Sequence, residues 1–406
     1  MENWKTYMAL EFCLNVTDGT HDSPKPKSVG HYLITSKHLQ NNTIDFSSAY
    51  RISEEDYLKI IKRSAVVQHD ILFSMIGTIG NTVRVKEAEV DYAVKNMAIF
   101  KMGGNQLRSK WMYYWLKSNK AKKYIASRLA GSTQSYLTLD SLRKFPISAP
   151  SEDEMNKIVS LLSSLDDKIE LNRRINDNLE QQAQALFKSW FLDNPNPNWR
   201  EETLSEVALF IGGYSYNGEE LTDSSNVAMA TIKNFGRNGG FKVDGFKDIT
   251  PSGKLRKCHY ADTFDILVAH TDLTQNADVI GNAELLLTKG NYDSIIFSMD
   301  LVKVLPNDSF PHRFLLAAML KNKVFKGHCL GYVNGTTVLH LSKKALPEFE
   351  IKIPSESEAN VMNDTLASLY KRMAEVLQEN DRLTRLRDTL LPKLMSGDLK
   401  INDLNC

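Results

Sequence analysis

A stretch of about forty residues without glycine occurs twice in this chain of 406 residues, and it limits the fold more than any other feature. The second copy lies 204 positions after the first, and both begin with Pro-Ser-Glu-x-Glu. In this motif the serine hydroxyl accepts an unpaired backbone amide and the second glutamate reaches back, forming a capping box. The sequence therefore predicts two helices, each roughly 60 Å long at about 1.5 Å per residue. The capping residues are Ser151 with Glu154 and Ser355 with Glu358.

Apolar residues in both copies recur at alternating steps of three and four, which is the spacing of a coiled-coil seam. An asparagine occupies one matching seam position in each copy, Asn176 and Asn380, and a buried asparagine there fixes the register of a helix pair. If the helices run antiparallel and these asparagines oppose each other, an internal two-fold axis passes near them. Pro392 is expected to kink or end the second helix about one turn early. The seam residues predicted to pair the helices are Leu162, Leu165, Ile169, Asn176, Leu179 and Leu186 with Leu366, Leu369, Met373, Asn380, Leu383 and Leu390.

The repeat includes the residues that precede each helix. Asp70-Ile-Leu recurs as Asp265-Ile-Leu, and Gly131-Ser-Thr recurs as Gly335-Thr-Thr. The chain is thus predicted to be a tandem duplication, the alternative being two unrelated long helices that cover separate cores. We predict an α+β fold in which two globular α/β domains each precede a long helix, and the helices pair as an antiparallel coiled coil with internal pseudo-two-fold symmetry. The predicted domains are residues 1–150 and 194–354, and the helices lie in residues 151–193 and 355–406.

Local patterns give a coarse outline of the first globular domain. Runs of apolar residues predict strands at 10–17, 31–35 and 71–75, and helical spacing predicts helices at 54–62 and 106–127. The second domain has the same outline with different loop residues. Such divergence is expected when two related domains bind two different targets.

The composition is that of an ordinary globular protein, but its charge is unevenly divided. Residues 1–150 contain 21 Lys and Arg against 13 Asp and Glu, which permits a polyanionic partner for this domain. The four cysteines are scattered without paired histidines, so they are predicted to be thiols, neither disulfides nor zinc ligands. No apolar run is long enough to span a membrane and no secretory signal is recognisable, which predicts a cytoplasmic protein.

Catalytic motifs are missing from the sequence. We find no phosphate-binding GxxxxGK[ST] loop, no GxSxG or HExxH motif, and no Asn/Asp-Pro-Pro-aromatic loop such as an amino-methyltransferase needs. His270-x-Asp272 is more simply a pair of polar loop residues than a metal site. The sequence predicts no catalytic residue, no bound metal and no cofactor.

Polar loops are therefore the candidate functional elements. Lys side chains suit phosphates, whereas Ser, Thr, Asn, Gln, His and Tyr can bond to base edges in the major groove, although such residues often only satisfy nearby backbone. The candidate DNA-binding residues are Lys25, Lys27, Lys37, Ser74, Thr78, Ser132, Thr133 and Gln134 in the first domain and Tyr214, Tyr216, Lys233, Asn234, His270, Thr271, Asn276, Thr336 and Thr337 in the second.

These features together resemble a known family. Asp18-Gly-Thr-His-Asp-Ser-Pro-Lys-Pro, the segment 50–57, the segment 70–80 and Gly131-Ser-Thr-Gln are similar to the first target-recognition domain of Type I restriction-modification specificity subunits. The twin long helices resemble the conserved regions of that family. The second domain matches mainly through Asp265-Ile-Leu, Gly335-Thr-Thr and its helix.

The resemblance implies a non-catalytic subunit that reads a bipartite double-stranded DNA site, one half with each domain. It implies two partner modification subunits that methylate adenine and, in some systems, restriction subunits. S-adenosylmethionine, ATP and Mg²⁺ are then expected on the partner subunits. The helices would hold the domains apart, so removing one heptad from both copies should shorten the gap between the DNA half-sites.

Several alternatives stay open from the sequence alone. The chain could be a coiled-coil scaffold that does not bind DNA, or the recognition module of another type of methyltransferase or nuclease. Apolar residues outside the seam could contact the modification subunits or, equally, the chain's own globular domains. They are Leu161, Leu171, Ile175 and Phe187.

Overall fold

The structure is a computed structural model that describes residues 4–40, 42–131, 135–237, 239–253 and 255–401. The chain divides into two compact units, Met1–Asp167 with Leu383–Cys406, and Lys168–Arg382. Each unit combines one globular domain with one segment of each long helix. Among the described residues, no helix is both long and apolar enough to cross a membrane.

The first unit is built on an antiparallel four-stranded sheet and a smaller three-stranded sheet in which one pair is parallel. In spatial order the larger sheet contains Asn15–Asp18, Met97–Lys101, Ile71–Ser74 and Thr82–Arg84, and the smaller contains Arg51–Ile52, His31–Ile34 and Tyr92–Val94. Two further strand pairs join Lys5–Met8 to Pro146–Ala149 and Leu39–Gln40 to Thr43–Ile44. The helices of this domain are Ala9–Phe12, the 3-10 turn Ser36–His38, Glu54–Ser64, Gln106–Leu116, Asn119–Ser127 and Leu139–Arg143.

Local capping explains where several helices begin. Ser53 accepts the amide of Asp56 at 3.2 Å at the start of Glu54–Ser64. The helix predicted at 106–127 is instead two helices, because Ser118 accepts the amide of Ala121 at 3.2 Å and starts a second one. The strand predicted at 10–17 is interrupted by the short helix Ala9–Phe12.

The second unit repeats this plan. Its four-stranded sheet contains Ala208–Gly212, Leu301–Pro306, Ile266–Ala269 and Ala283–Leu285, and its parallel pair lies in the sheet of Lys247–Asp248, Val227–Ala230, Ser294–Phe297 and Tyr260–Ala261. The remaining strands are Arg200–Thr203 with Glu350–Ile353, and Thr271–Asp272, Leu339–Leu341 and Val333–Asn334. The helices are Leu204–Val207, Arg313–Leu320 and Lys323–Leu330, with 3-10 turns Gly218–Glu220, Ile232–Asn234, Val243–Gly245 and Lys257–His259.

A close approach between two backbone segments occurs at the same place in both domains. A Cβ atom on Gly19 would lie 2.2 Å from the carbonyl oxygen of Val94, and one on Gly213 would lie 2.1 Å from that of Ser298. Only glycine fits where backbones meet this closely, and both domains place one there. The α+β fold with two related domains is therefore confirmed.

The long helices are Glu152–Phe187, continued by the π-helical turn Lys188–Asp193, and Glu356–Ser396. The second helix begins with the complete capping box, in which Glu358 accepts the amide of Ser355 at 3.0 Å and Ser355 accepts that of Glu358 at 3.4 Å. The prediction that Pro392 ends this helix is wrong, since the helix continues to Ser396. The turn after the proline is retained because Leu394 and Met395 are fully buried in the core of the first unit.

Contacts inside each unit show that the helix segments run antiparallel. In the first unit, Met155 and Ile158 near the start of the first helix share a core with Leu394 near the end of the second. In the second unit, Phe187 at the end of the first helix shares a core with Ala359 at the start of the second.

The register of the pair differs from the predicted one. Asn380 donates to the carbonyl oxygen of Ile169 at 3.3 Å, and Ile169 precedes Asn176 by about two helical turns. Asn176 and Asn380 therefore do not oppose each other, so the condition on which the axis prediction depended is not met. Leu162, Leu165, Ile169, Leu366 and Met373 of the seam are buried, whereas Asn176, Leu179, Leu186, Leu369, Asn380, Leu383 and Leu390 are half-buried.

Candidate nucleic-acid interface

Three loops meet at one edge of the first domain. Asn81 donates its side-chain amide to the carbonyl oxygen of Leu39 at 2.9 Å, which joins the loop after Ile71–Ser74 to the 3-10 turn Ser36–His38. Leu137 donates its backbone amide to Met75 at 2.9 Å and thereby joins the third loop. We call residues 36–40, 75–81, 130–131 and 135–137 the first edge.

The same three loops meet in the second domain. Asn282 donates to the carbonyl oxygen of Gly236 at 3.0 Å, and Gln275 donates to that of Thr337 at 3.3 Å. Thr271 pairs with His340 in an antiparallel strand pair. We call residues 232–237, 239–242, 270–282 and 333–340 the second edge.

Many of the predicted residues lie exposed on these edges. Lys37 and Lys233 take matching places in the two domains, each in the 3-10 turn that follows a strand of the parallel pair. These two lysines, Thr78 on the first edge, and Asn276, Thr336 and Thr337 on the second are all exposed. Ser132, Thr133 and Gln134 lie outside the described residues.

Four predicted residues are buried and support the loops, so the structure does not favour their contact with DNA. Ser74 donates to Thr78 and accepts the amide of Asn81 at 2.8 Å, which closes its turn. Tyr214 donates to Glu220 at 2.9 Å in the protein interior. Asn234 accepts the amide of Thr231 at 2.8 Å and donates to Lys242, and Thr271 donates to Asp300 at 3.0 Å. Sequence cannot separate these buried polar side chains from exposed ones because both occur in polar loops.

The predicted residues Lys25, Lys27 and Tyr216 differ in their exposure to solvent. Lys25 and Lys27 are exposed on a separate segment, where the Lys27 amide donates to Arg51 at 2.9 Å. Tyr216 is half-buried, and the Nζ atom of Lys247 lies 5.9 Å from its ring centroid.

His270 is half-buried at the base of the second edge. Burial, and to a lesser degree the neighbouring side chains of His340 and Lys343, hold the pKa of His270 below its usual value. The ring is therefore neutral at pH 7 and can either donate or accept a hydrogen bond, as a base edge requires.

Sequence reasoning missed several exposed side chains of the second edge. Arg237, with a side chain 73% exposed, lies in the sequence Gly-Arg-Asn-Gly-Gly and approaches Asp278 at 3.6 Å. Lys242, Gln275 and His340 are exposed on the same edge. A basic residue in a glycine-rich turn was the available signal for Arg237.

The four apolar helix residues outside the seam differ in exposure. Phe187 is buried in the core of the second unit and stacks on Phe191 with ring centroids 5.0 Å apart. Leu161 is partly buried against the core of the first unit. Leu171, 46% exposed, and the half-buried Ile175 are accessible, so only this part of the predicted partner surface is free of the chain's own domains.

No group of three His, Cys, Asp or Glu side chains in the described part of the chain could hold a metal ion. The two edges thus offer lysine and arginine charges together with amide, hydroxyl and imidazole groups, which are suited to binding a polyanion and to reading hydrogen-bonding patterns on it.

Comparison with known proteins agrees with this geometry. Residues 1–181 match the family described as Type I restriction modification DNA specificity domain. The chain is 26% identical over 470 aligned positions to the Type I restriction enzyme HindI specificity subunit of Haemophilus influenzae, covering 98% of this chain and 100% of that protein. It is 24% identical to the MjaIX specificity subunit of Methanocaldococcus jannaschii, over 73% of this chain and 70% of that protein.

A solved structure has the same fold. The Type I restriction-modification S subunit from M. genitalium superimposes with a TM-score of 0.53 at 16% identity, covering 97% of this chain and 96% of that one. Residues 1–181 thus match a Type I restriction modification DNA specificity domain, and nearly the whole chain is similar in sequence to a Type I specificity subunit and has the fold of a solved one.

Proposed function

We propose that this chain is the DNA-recognition subunit of a Type I restriction-modification complex and that each globular domain reads one half of a bipartite site. The observation that carries the proposal is the pair of matching edges. The same three loops meet in both domains, while the side chains that they expose differ. Two different DNA half-sites require two domains that share a framework and differ in the side chains that contact DNA.

The exposed residues divide by chemistry. Lys37 and Lys233 occupy matching positions and suit phosphates, which set the orientation of a protein on DNA without reading sequence. Thr78 on the first edge, and Asn276 and Thr336 on the second, are uncharged and suit base edges. The matched lysines would thus position both domains alike, and the unmatched polar residues would select the half-sites.

The different charges of the two domains support unequal contributions to the free energy of DNA binding. Residues 1–150 contain 21 basic and 13 acidic residues, whereas residues 200–354 contain 17 and 18. Because phosphate neutralisation releases counterions, the first domain is expected to supply most of the salt-dependent affinity. The second domain then depends more on direct contacts with bases.

We further propose that the paired helices dock two modification subunits, which methylate adenine, and that restriction subunits can join them. The accessible apolar surface at Leu171 and Ile175 supports such docking. S-adenosylmethionine, ATP and Mg²⁺ would be bound by the partner subunits, so that this chain supplies specificity and no catalytic residue.

Mapping methylated adenines in cells that express the modification subunits with and without this chain tests the proposal. A bipartite methylation motif should be present with the chain and missing without it, and unchanged methylation would contradict the function. A scaffold would still co-purify with its partners but would show no salt-sensitive DNA binding.

A further inference from the structure

A buried carboxylate links the second edge to the first long helix. Glu284 lies in the strand Ala283–Leu285 with its side chain 3% exposed, and it accepts the amide of Gly240 at 2.5 Å. Its other oxygen lies 2.5 Å from the Nζ atom of Lys321. Lys321 also bonds to Glu180, a residue of the first long helix, at 3.2 Å. All four residues belong to the second unit.

This carboxylate bonds to the loop at Gly240, and Asn282 bonds to it at Gly236 at 3.0 Å. Gly239 and Gly240 have φ angles of 87° and 92°, which favour glycine, so neither position offers a side chain that could anchor the loop by packing. The loop is closed by a bond from the Gly236 amide to the Gly240 carbonyl at 2.8 Å. The exposed Arg237 lies within this closed turn, so the bond from Gly240 to Glu284 helps to set where Arg237 points.

In the described part of the first domain, a valine takes the position that corresponds to Glu284. In the matching strand pairs Leu72 lies opposite Val83, and Leu267 lies opposite Glu284. A valine at this position therefore suits the sheet. Burying charges is costly and commonly adds no net stability, so packing alone does not explain Glu284 and Lys321.

Lys321 is fixed by the carboxylates of Glu284 and Glu180 and by its place at the end of a helix. It caps the helix Arg313–Leu320 with a side chain 5% exposed, and its Nζ atom lies 5.7 Å from the ring centroid of Tyr370 on the second long helix. Burial alone would lower the pKa of Lys321, but Glu284 and Glu180 raise it above its usual value, so the ammonium stays charged.

We propose that Glu284 and Lys321 are positioning residues that set the loop residues Gly236, Arg237, Gly239 and Gly240 for reading the second DNA half-site and tie them to the first long helix. The inference rests on the proposed function. It assigns Glu284 and Lys321 a role in specificity without contact with DNA. A purely structural pair would lower stability without changing which bases are selected.

The test uses the full chain in complex with its modification subunits. The variant E284V/K321M places valine where the first domain has it and removes the lysine that would otherwise lose its main partner. E284Q keeps an oxygen to accept the Gly240 amide while it removes the charge. The control D265V/K303M removes another buried acid–lysine pair of the same unit, whose other partners are Asp262, Tyr260 and Arg313.

Two measurements separate the outcomes. In E284V/K321M, hydrogen exchange of the loop amides should accelerate at least about tenfold, because a protecting hydrogen bond is lost. Discrimination between bases in the second half of the methylation motif should fall by about tenfold, which lies in the lower part of the range for one lost base contact. Discrimination in the first half should not change. E284Q should show a smaller change, and D265V/K303M should keep the motif intact.

An unchanged motif in E284V/K321M would overturn the inference, whether or not exchange of the loop amides accelerates, as would equal loss of both half-sites in that variant and the control. The wild-type complex decides the proposed function separately. If it produces no bipartite motif, the proposed function fails, whatever the variants do to the loop.

Discussion

Asn172 donates its side-chain amide to the carboxylate of Glu379 at 2.8 Å and thereby joins the two long helices within the second unit. Asn172 is fully buried, and its carbonyl oxygen has no partner in the described part of the chain. Glu379 is also approached by Lys168 at 3.3 Å. Because a polar seam residue favours one alignment at some cost in stability, this pair defines the local register.

Replacing the buried amide should stabilise the helix pair. We expect N172L to raise the unfolding free energy of the second unit by about 1 kcal/mol, since an unpaired buried polar atom costs roughly 1–3 kcal/mol. The melting temperature should rise by about 2–4 °C for a unit of this size. Glu379 can remain hydrated and bonded to Lys168. Calorimetry against the exposed-site control N178L checks this, and a lower melting temperature for N172L would contradict it.

Asp166 connects three elements of the first unit. It accepts hydrogen bonds from Arg387 and Tyr114, each at 2.8 Å, and the side chains of Asp166 and Arg387 are 18% and 19% exposed. D166N should lower the unfolding free energy by about 2 kcal/mol, below the roughly 3–5 kcal/mol for a fully buried pair, because Arg387 keeps its bond to Asp388.

The double variant D166N/R387M should recover most of this loss, because the lone arginine charge is then gone as well. Chemical denaturation of both single variants and the double variant measures the coupling. Strictly additive losses would show that the two side chains do not stabilise each other.

His31 should make the first domain more stable in mildly acidic solution. Burial lowers the pKa of His31, but hydrogen bonds to Glu54 and Asp91 outweigh it and raise the pKa above its usual value. Stability from a raised histidine pKa is fully present below the unfolded-state value of about 6.5 and is lost as pH rises through the folded value. The stability difference between wild type and H31F, which can keep the stack on Tyr57, should therefore shrink from pH 6 to pH 9. A difference that stays constant or grows in this interval would refute the ion-pair explanation.

Lys37 and Lys233 should contribute to DNA affinity without affecting specificity. Each substitution, K37Q or K233Q, is expected to reduce the slope of log K against log salt by about 1, because one phosphate contact is lost. The methylation motif should stay the same. The control is K157Q on the first long helix, where Lys157 pairs with Asp153 at 2.9 Å. A slope that K37Q and K233Q leave unchanged would remove these lysines from the interface.

The repeating architecture could be predicted from the sequence because duplicated patterns reinforce each other. The capping motifs located the starts of both long helices, and the apolar runs located strands such as His31–Ile34 and Ile71–Ser74. The continuation of the second long helix past Pro392 to Ser396 was not predictable, since burial of Leu394 and Met395 in a distant core outweighs the local effect of proline.

The candidate site was predicted at the level of loops and less well at the level of single residues. The structure brings three of the four predicted loops of each domain together, but Ser74, Tyr214, Asn234 and Thr271 are used inside the protein. The register of the helices was also missed, because Asn172 is as good a seam residue as Asn176 and sequence spacing cannot say which one finds a partner.

The central claim is that the two edges read separate halves of one DNA site. The most direct measurement is the methylation motif produced by the full complex with T78A on the first edge, with N276A/T336A on the second edge, and with both sets combined. Each set should relax specificity in one half-site only, at a cost of roughly 1–3 kcal/mol per lost base contact, and the combination should relax both. A motif that stays the same in every variant, or two sets that alter the same half-site, would contradict the account.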